Sequence, residues 1–98
     1  MTRRRDWTEA RAKVDAASGC RVCGAISNLE AAHIIPRSIA PNGGEGANSI
    51  VELCQRDHFR YDNYQLDLAP YLTAEEMAQA VIATGSLASA TRVISGRQ

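Results

Sequence analysis

A small α+β domain is the fold class this sequence predicts, on three observations. Apolar residues recur at helical spacing toward both ends of the chain. Two short apolar runs, over residues 29–35 and 50–53, lie between them and are too brief for helices. Three cysteines stand where a metal staple would compensate for a thin core. The chain has 98 residues, so residues 1–98 form a single domain. Its 45% hydrophobic content excludes a disordered chain, while one Trp and one Phe leave it short of large core fillers. No stretch approaches the ~20 apolar residues of a membrane span. Arg3, Arg4 and Arg5 are not followed by the apolar run of a secretory signal. The expectation is a cytoplasmic protein, and in a reducing compartment an odd number of cysteines favours a metal over disulfides.

The first element is a helix over 6–17. Asp6 can cap it, with Glu9 in capping-box spacing, and Trp7, Ala10, Val14 and Ala17 make its apolar face. Gly19 stops it, and Cys20-Arg-Val-Cys23-Gly24 follows as a compact knuckle. Leu29 to Ile35 reads as a short strand ending at Pro36. Residues 36–49, rich in Pro, Gly and Asn, form a loop long enough to suggest function or mobility. Ile50 to Leu53 is a second short strand, and residues 55–64 form a helix carrying His58, Arg60, Tyr61 and Asp62. Thr73 with Glu76 is a second capping box, opening a helix that runs to Thr84 with Met77, Ala80, Val81 and Thr84 on its buried side. Gly85 breaks it, and Ser86 to Ile94 is a last short helix.

Lys+Arg and Asp+Glu are both 11, so the formal net charge is zero. The balance hides a gradient. Residues 1–21 carry Arg3, Arg4, Arg5, Arg11, Lys13 and Arg21 against Asp6, Glu9 and Asp15, a net +3 that the other residues cancel. A basic arm on an acidic body is compatible with phosphate contact.

The cysteines carry the clearest chemistry. Cys20 and Cys23 form a C-x2-C pair, which points two thiolates at one ion. Cys54 comes from a distant segment, and either Asp57 at the matching x2 spacing or His58 can complete a tetrahedron with it. Imidazole is the softer partner for zinc, but spacing favours Asp57. His58 and Asp62 are four apart, on one helix face, and can share a second divalent ion. His33 ends the first strand and Asn48 closes the Gly-rich loop.

The ordered set C-x2-C, L-E-A-A-H-I-I-P-R-S, a Gly-rich loop, Asn, then L-C-x3-H-x3-D resembles the HNH endonucleases. Tyr61-Asp62, the run Leu66-Asp67-Leu68-Ala69-Pro70-Tyr71-Leu72-Thr73, and Glu75-Glu76 narrow the likeness to small HNH proteins encoded by tailed phages and prophages of actinobacteria. The resemblance implies a ββα-metal core at about residues 20–64 with a zinc knuckle, flanked by helices at about 6–17 and 74–94. It implies one structural Zn2+ and one catalytic divalent ion of the Mg2+, Mn2+ or Ni2+ type. His33 matches the general base, Asn48 the middle Asn and His58 the last His. A strand-end imidazole can take a proton from water near neutral pH, and a cation can meet the charge developing on the phosphate.

Two departures stand out. Ala32 occupies the place where many relatives have a metal-binding His or Asp before the base. Strand alternation sends Glu30 to the face opposite His33, so Asp62 is the better substitute, with His58 and Asp62 on the catalytic ion. Asp57 stands where many relatives have a fourth cysteine, so Cys20, Cys23, Cys54 and Asp57 are expected on the zinc. DNA contact would fall on phosphates, from Arg3, Arg4, Arg5, Arg37, Arg56 and Arg60, with little sequence preference. The resemblance implies phage DNA packaging in an infected or lysogenic bacterial host, with terminase subunits as candidate partners. The alternative is a non-catalytic zinc-knuckle module that binds DNA or protein.

Overall fold

A computed structural model describes residues 7–36, 38–39 and 46–96. Arg3, Arg4, Arg5, Asp6 and Arg37 lie outside the described residues. Helix α1 (Trp7–Ala16) leads into a two-stranded antiparallel sheet of β1 (Leu29–His33) and β2 (Ile50–Cys54). Helix α2 (Gln55–Asp62) follows β2 directly, and α3 (Ala74–Thr84) and α4 (Leu87–Ile94) pack on each other at the C-terminal end. The observed order is α, β, β, α, α, α, with single 3-10 turns at Ala47–Ser49 and Ala69–Tyr71. Among the described residues no helix is long and apolar enough to cross a membrane.

Register fixes which side chains share a face. Leu29 pairs with Cys54, Glu30 with Leu53, Ala32 with Val51 and His33 with Ile50. Paired residues share a face and neighbours alternate, so Glu30, Ala32, Val51 and Leu53 lie on one side and His33, Ile50 and Glu52 on the other. Both α1 and α2 pack on the hairpin. All five residues of β2 are buried, which is why the strand reads as a near-continuous apolar run. Ala32, Val51, Leu53, Tyr61, Leu68, Ala90 and Ile94 join one core.

Element ends differ from the sequence reading by one or two residues, for local reasons. Strand β1 leaves the ladder after His33, although Ile34 and Ile35 stay buried. Helix α2 stops at Asp62, because Tyr64 adopts φ +60, a left-handed conformation that a helix cannot contain. Helix α3 follows its capping box closely: Glu76 N–H donates to Thr73 Oγ1 at 3.1 Å, and Thr73 N–H donates to Glu76 Oε1 at 2.8 Å. Gly85 ends it with φ +96. The capping box expected of Asp6 and Glu9 falls partly outside the described residues; the Glu9 carboxylate accepts from the Ala47 N–H at 2.6 Å and ties α1 to the turn before β2.

Two of the six cations assigned to the basic arm are interior ties. Arg21 spans two carboxylates. Its Nε and Nη2 donate to Glu52 at 2.8 and 3.1 Å, and its Nη1 and Nη2 donate to Glu76 at 2.8 and 3.1 Å. Lys13 Nζ donates to Glu76 Oε2 at 2.5 Å and to the carbonyls of Ala47 and Ile50. Glu76 is 2% exposed and Glu52 8% exposed. Burial pushes the Glu76 carboxyl up, but bonds from Arg21 and Lys13 outweigh it and hold it at about 2. The network joins α1, the knuckle, β2 and α3 by charge. Lys13 and Arg21 are therefore not the phosphate-facing cations that the charge gradient suggested.

Candidate functional site

The knuckle is built by backbone. Cys20 N–H donates to the Ala25 carbonyl at 2.8 Å, and Gly24 N–H returns to the Cys20 carbonyl at 2.9 Å. Gly24 has φ +80, which the turn needs and an L side chain resists. A Cβ on Gly19 would lie 2.6 Å from the Gly24 carbonyl oxygen, so the close crossing of the chain requires glycine there as well. Arg21 N–H donates to the Glu52 carbonyl at 3.0 Å and straps the knuckle to β2. Cys54, the last residue of β2, is also the cap of α2, its Sγ accepting from the Asp57 N–H at 3.5 Å.

These elements converge on one cluster. The Sγ atoms of Cys20, Cys23 and Cys54 and a carboxylate oxygen of Asp57 all lie within 4.8 Å of one another. The edges can be tested against a metal. A tetrahedron with bonds of about 2.3 Å to sulfur and about 2.0 Å to oxygen has S···S edges near 3.8 Å and S···O edges near 3.5 Å. Cys23 Sγ lies 3.7 Å from Cys54 Sγ, and Cys20 Sγ lies 3.4 Å from Asp57 Oδ2. The donors fit such an ion, and the three cysteines are free thiols with no disulfide among them. The cluster can hold a metal ion, with Asp57 and not His58 in the fourth position.

Asp57 is fully buried. Burial raises its pKa, but hydrogen bonds from Cys23, Cys20 and Arg60 bring it below the ordinary carboxylate range. Burial likewise raises the Cys20 thiol, and the knuckle's backbone amides more than offset it. For Cys23 the Ala25 amide lowers the pKa, but desolvation and the crowding of Asp57, Cys54 and Cys20 prevail and push it up to about 11. Without a cation the Cys23 thiol therefore keeps its proton, and an ion bound by all four donors would displace it.

One step further along α2 the chemistry changes. His58 Nδ1 lies 2.6 Å from Glu30 Oε1, and its Nε2 lies 3.5 Å from Asp62 Oδ2. An ionised carboxylate can only accept, so in the tautomer with the proton on Nδ1 the imidazole donates to Glu30 and leaves Nε2, which faces Asp62, as the nitrogen open to a ligand. Glu30 thus plays a part that strand alternation did not reveal. It does lie on the face opposite His33, but that is the face against which His58 sits. The expected pairing of His58 with Asp62 is present, and Glu30 extends it to a chain of three. An octahedral ion with bonds near 2.1 Å has cis edges of about 3.0 Å, so His58 Nε2 and Asp62 Oδ2, 3.5 Å apart, would close by about half an ångström to share one. Water and substrate oxygens would fill the remaining positions of such an ion.

The other expected residues are placed as follows. His33 ends β1 opposite Ile50 and is half-buried. The Tyr61 hydroxyl donates to the carbonyl of the next residue, Ile34, and pins α2 to this strand end. Asn48 is exposed and lines a cavity of about 320 Å³ together with Glu9 and Gln79. It is not part of the Glu30–His58–Asp62 chain. Among the described residues, the cysteine–aspartate cluster is the one group of three or more such ligands drawn within 4.8 Å. Ala32 is fully buried and adds no ligand. Arg56 Nε lies 3.6 Å and Arg60 Nη1 3.0 Å from Asp57 Oδ1, so both expected phosphate contacts on α2 lean toward the cluster.

The burial of Glu52 and the ion pairs that Glu52 and Glu76 make were missed by sequence reasoning, which gave Glu76 only its capping box, although one signal was present. A glutamate inside the apolar run Ile50-Val51-Glu52-Leu53 implies a buried cationic partner. Comparison of the chain with family models, with curated proteins and with solved structures found no match.

Proposed function

We propose that this chain is a metal-dependent DNA endonuclease of the HNH type, with a structural Zn2+ on Cys20, Cys23, Cys54 and Asp57. The observation that carries the reading is the Glu30–His58–Asp62 chain, mounted on two antiparallel strands and the helix that follows them. It gives an imidazole of fixed tautomer beside a carboxylate, a donor pair for a divalent ion. When bound, that ion would neutralise the charge growing on the phosphate and leaving oxygen. Glu30 holds the Nδ1 proton and so keeps Nε2 directed outward. His33, at the strand end, takes the proton of the attacking water. Asn48 completes the HNH set as the middle Asn. Contacts to phosphates come from the arginines at 3–5 and 37 and from the exposed Arg56, with little base readout, while Arg60, the nearer of the two to Asp57, is held at the cluster. The setting proposed is phage DNA packaging, with terminase subunits as partners.

The test is nicking of supercoiled plasmid in Mg2+, Mn2+ or Ni2+, with an EDTA control. Metal-dependent nicking that His58→Ala abolishes at unchanged zinc content supports the reading. Absence of nicking in every metal, by a folded and zinc-loaded protein, overturns it. One observation favours a second reading, a non-catalytic metal-knuckle module that binds DNA or protein. Ala32 is fully buried and leaves the His58–Asp62 pair without a third protein ligand. That module would bind DNA or a protein partner in the same assay conditions without cutting.

A further inference from the structure

The cluster contains an oxygen donor among three sulfurs, and the protein surrounds that donor differently from the sulfurs. Asp57 lies on α2 three residues after Cys54, with its carboxylate fully buried. Its two oxygens have separate partners. Oδ2 lies 3.4 Å from Cys20 Sγ, on the ligand side. Oδ1 accepts from Arg60 Nη1 at 3.0 Å, and Arg56 Nε lies 3.6 Å from the same atom. Arg60 is one helical turn beyond Asp57, the spacing at which side chains meet on one face.

A carboxylate ligand faces two difficulties that a thiolate does not. It can rotate between one-oxygen and two-oxygen binding, and it is the harder donor in a soft set. A guanidinium on Oδ1 addresses the first, because it occupies the second oxygen and leaves Oδ2 alone to bind. It also offsets charge. Three thiolates and a carboxylate around a divalent ion sum to −2, and the half-exposed Arg60 with the exposed Arg56 brings two positive charges to the outer oxygen.

We propose that Arg60 is a positioning residue of the metal centre, holding Asp57 as a one-oxygen ligand, and that this pairing lets a carboxylate serve as fourth donor in place of a thiolate. The proposal rests on the zinc reading of the cluster. It gives Arg60 a task inside the protein instead of on DNA. It also makes Arg60 and Asp57 a coupled pair: where position 57 carries a thiolate, Arg60 has no outer oxygen to hold.

The experiment is a double-mutant cycle on the full chain, read as apparent Zn2+ affinity by competition with a chromophoric chelator. Arg60→Gln should weaken zinc binding by roughly 10–100-fold, the range for losing an outer partner of a metal ligand. Arg60→Lys, which keeps the charge without the fork, should fall between the two. In an Asp57→Cys background, Arg60→Gln should change zinc affinity by less than about threefold. Co2+ in place of zinc gives a readout of the donor set. Its thiolate charge-transfer band should strengthen with Asp57→Cys and stay unchanged with Arg60→Gln. If Arg60→Gln matches wild type, the proposal falls and the zinc site stands. If its loss persists at full size with Cys at position 57, Arg60 serves the fold and not the carboxylate, and the proposal again falls. A wild-type protein that binds no Zn2+ removes the zinc reading and the proposal together.

Discussion

Asp57 and His58 are consecutive in sequence and belong to different chemistry. Asp57 is fully buried among three sulfurs and an arginine. His58, with its side chain 26% exposed, stands between the carboxylates of Glu30 and Asp62. The difference comes from helix geometry, since successive residues point about 100° apart. Cys54 starts α2 at the cluster, so Asp57, three residues on, turns back to it. His58 turns toward β1, and Asp62 follows one turn later on the same face. One eight-residue helix thus carries both groups, Asp57 on its closed side in a cluster that can hold a metal ion and the His58–Asp62 pair on its open side.

The strongest way to break this comparison is to remove the metal from the closed side. Cys20→Ala or Cys54→Ala should abolish zinc binding and with it the cooperative melting transition, because folding and metal binding are coupled in small stapled domains. Elemental analysis should find about one zinc per chain in wild type. A metal-free protein with an unchanged melting curve would show that the two sides do not differ in this way.

The open side should break without disturbing the closed one. His33→Ala should cut nicking by roughly 10²–10⁴-fold and leave the melting curve and zinc content unchanged. Asp62→Ala should weaken metal-dependent nicking in a way that excess Mn2+ partly restores. Asp57→Ala should do the reverse, releasing zinc and lowering the melting temperature before any effect on nicking can be attributed to the site. Should His58→Ala lose zinc and unfold while Asp62→Ala nicks normally, the assignments of the two neighbours must be exchanged.

The sequence shows the closed side more plainly than the open one. A C-x2-C pair and a third cysteine followed by x2-Asp are local spacings, and local spacing survives into the fold. Thr73, Glu76 and Gly85 bracket α3 for the same reason. Glu30 is different. Alternation correctly separates it from His33, but which face α2 would cover is a tertiary fact, and the contact with His58 spans 28 positions. Arg21 and Lys13 were hidden in the same manner. On paper they extend a basic arm, and only packing turns them onto Glu52 and Glu76. Glu76 hides best of all, because its capping-box role already accounts for it.

That network gives the next test, of how the closed side is held from outside. Arg21 sits inside the C-x2-C motif, so Glu76 braces the knuckle through it. Glu76→Gln should destabilise the protein at pH 7 by about 3 kcal/mol, the lower end for breaking a buried ion pair. The folded Glu76 carboxyl lies at about 2, below its unfolded value of 4.5. Its contribution is therefore complete above about pH 4.5 and is lost as pH falls toward 2. The stability gap between wild type and Glu76→Gln, measured by denaturant melts, should be constant from pH 7 to 5 and narrow below. Equal stability at pH 7 would leave the network without a role in holding the knuckle.

The smallest expected effect sharpens the open side. Glu30→Gln keeps a side chain of the same shape near His58 Nδ1 but removes the charge that requires a proton there. The amide can offer either its oxygen or its nitrogen, so the imidazole regains the choice of tautomer, and Nε2 is no longer reserved for a ligand. Metal affinity in the nicking assay should fall by about tenfold, the low end for such a partner, with activity recovering at higher metal concentration. Zinc content and melting temperature should not move, since Glu30 is 41% exposed by its side chain and is not among the cluster's donors. Loss of zinc in this variant would mean that the two sites communicate through β1. Unchanged metal dependence would mean that His58 does not need its carboxylate, and that the tautomer is set by something other than Glu30.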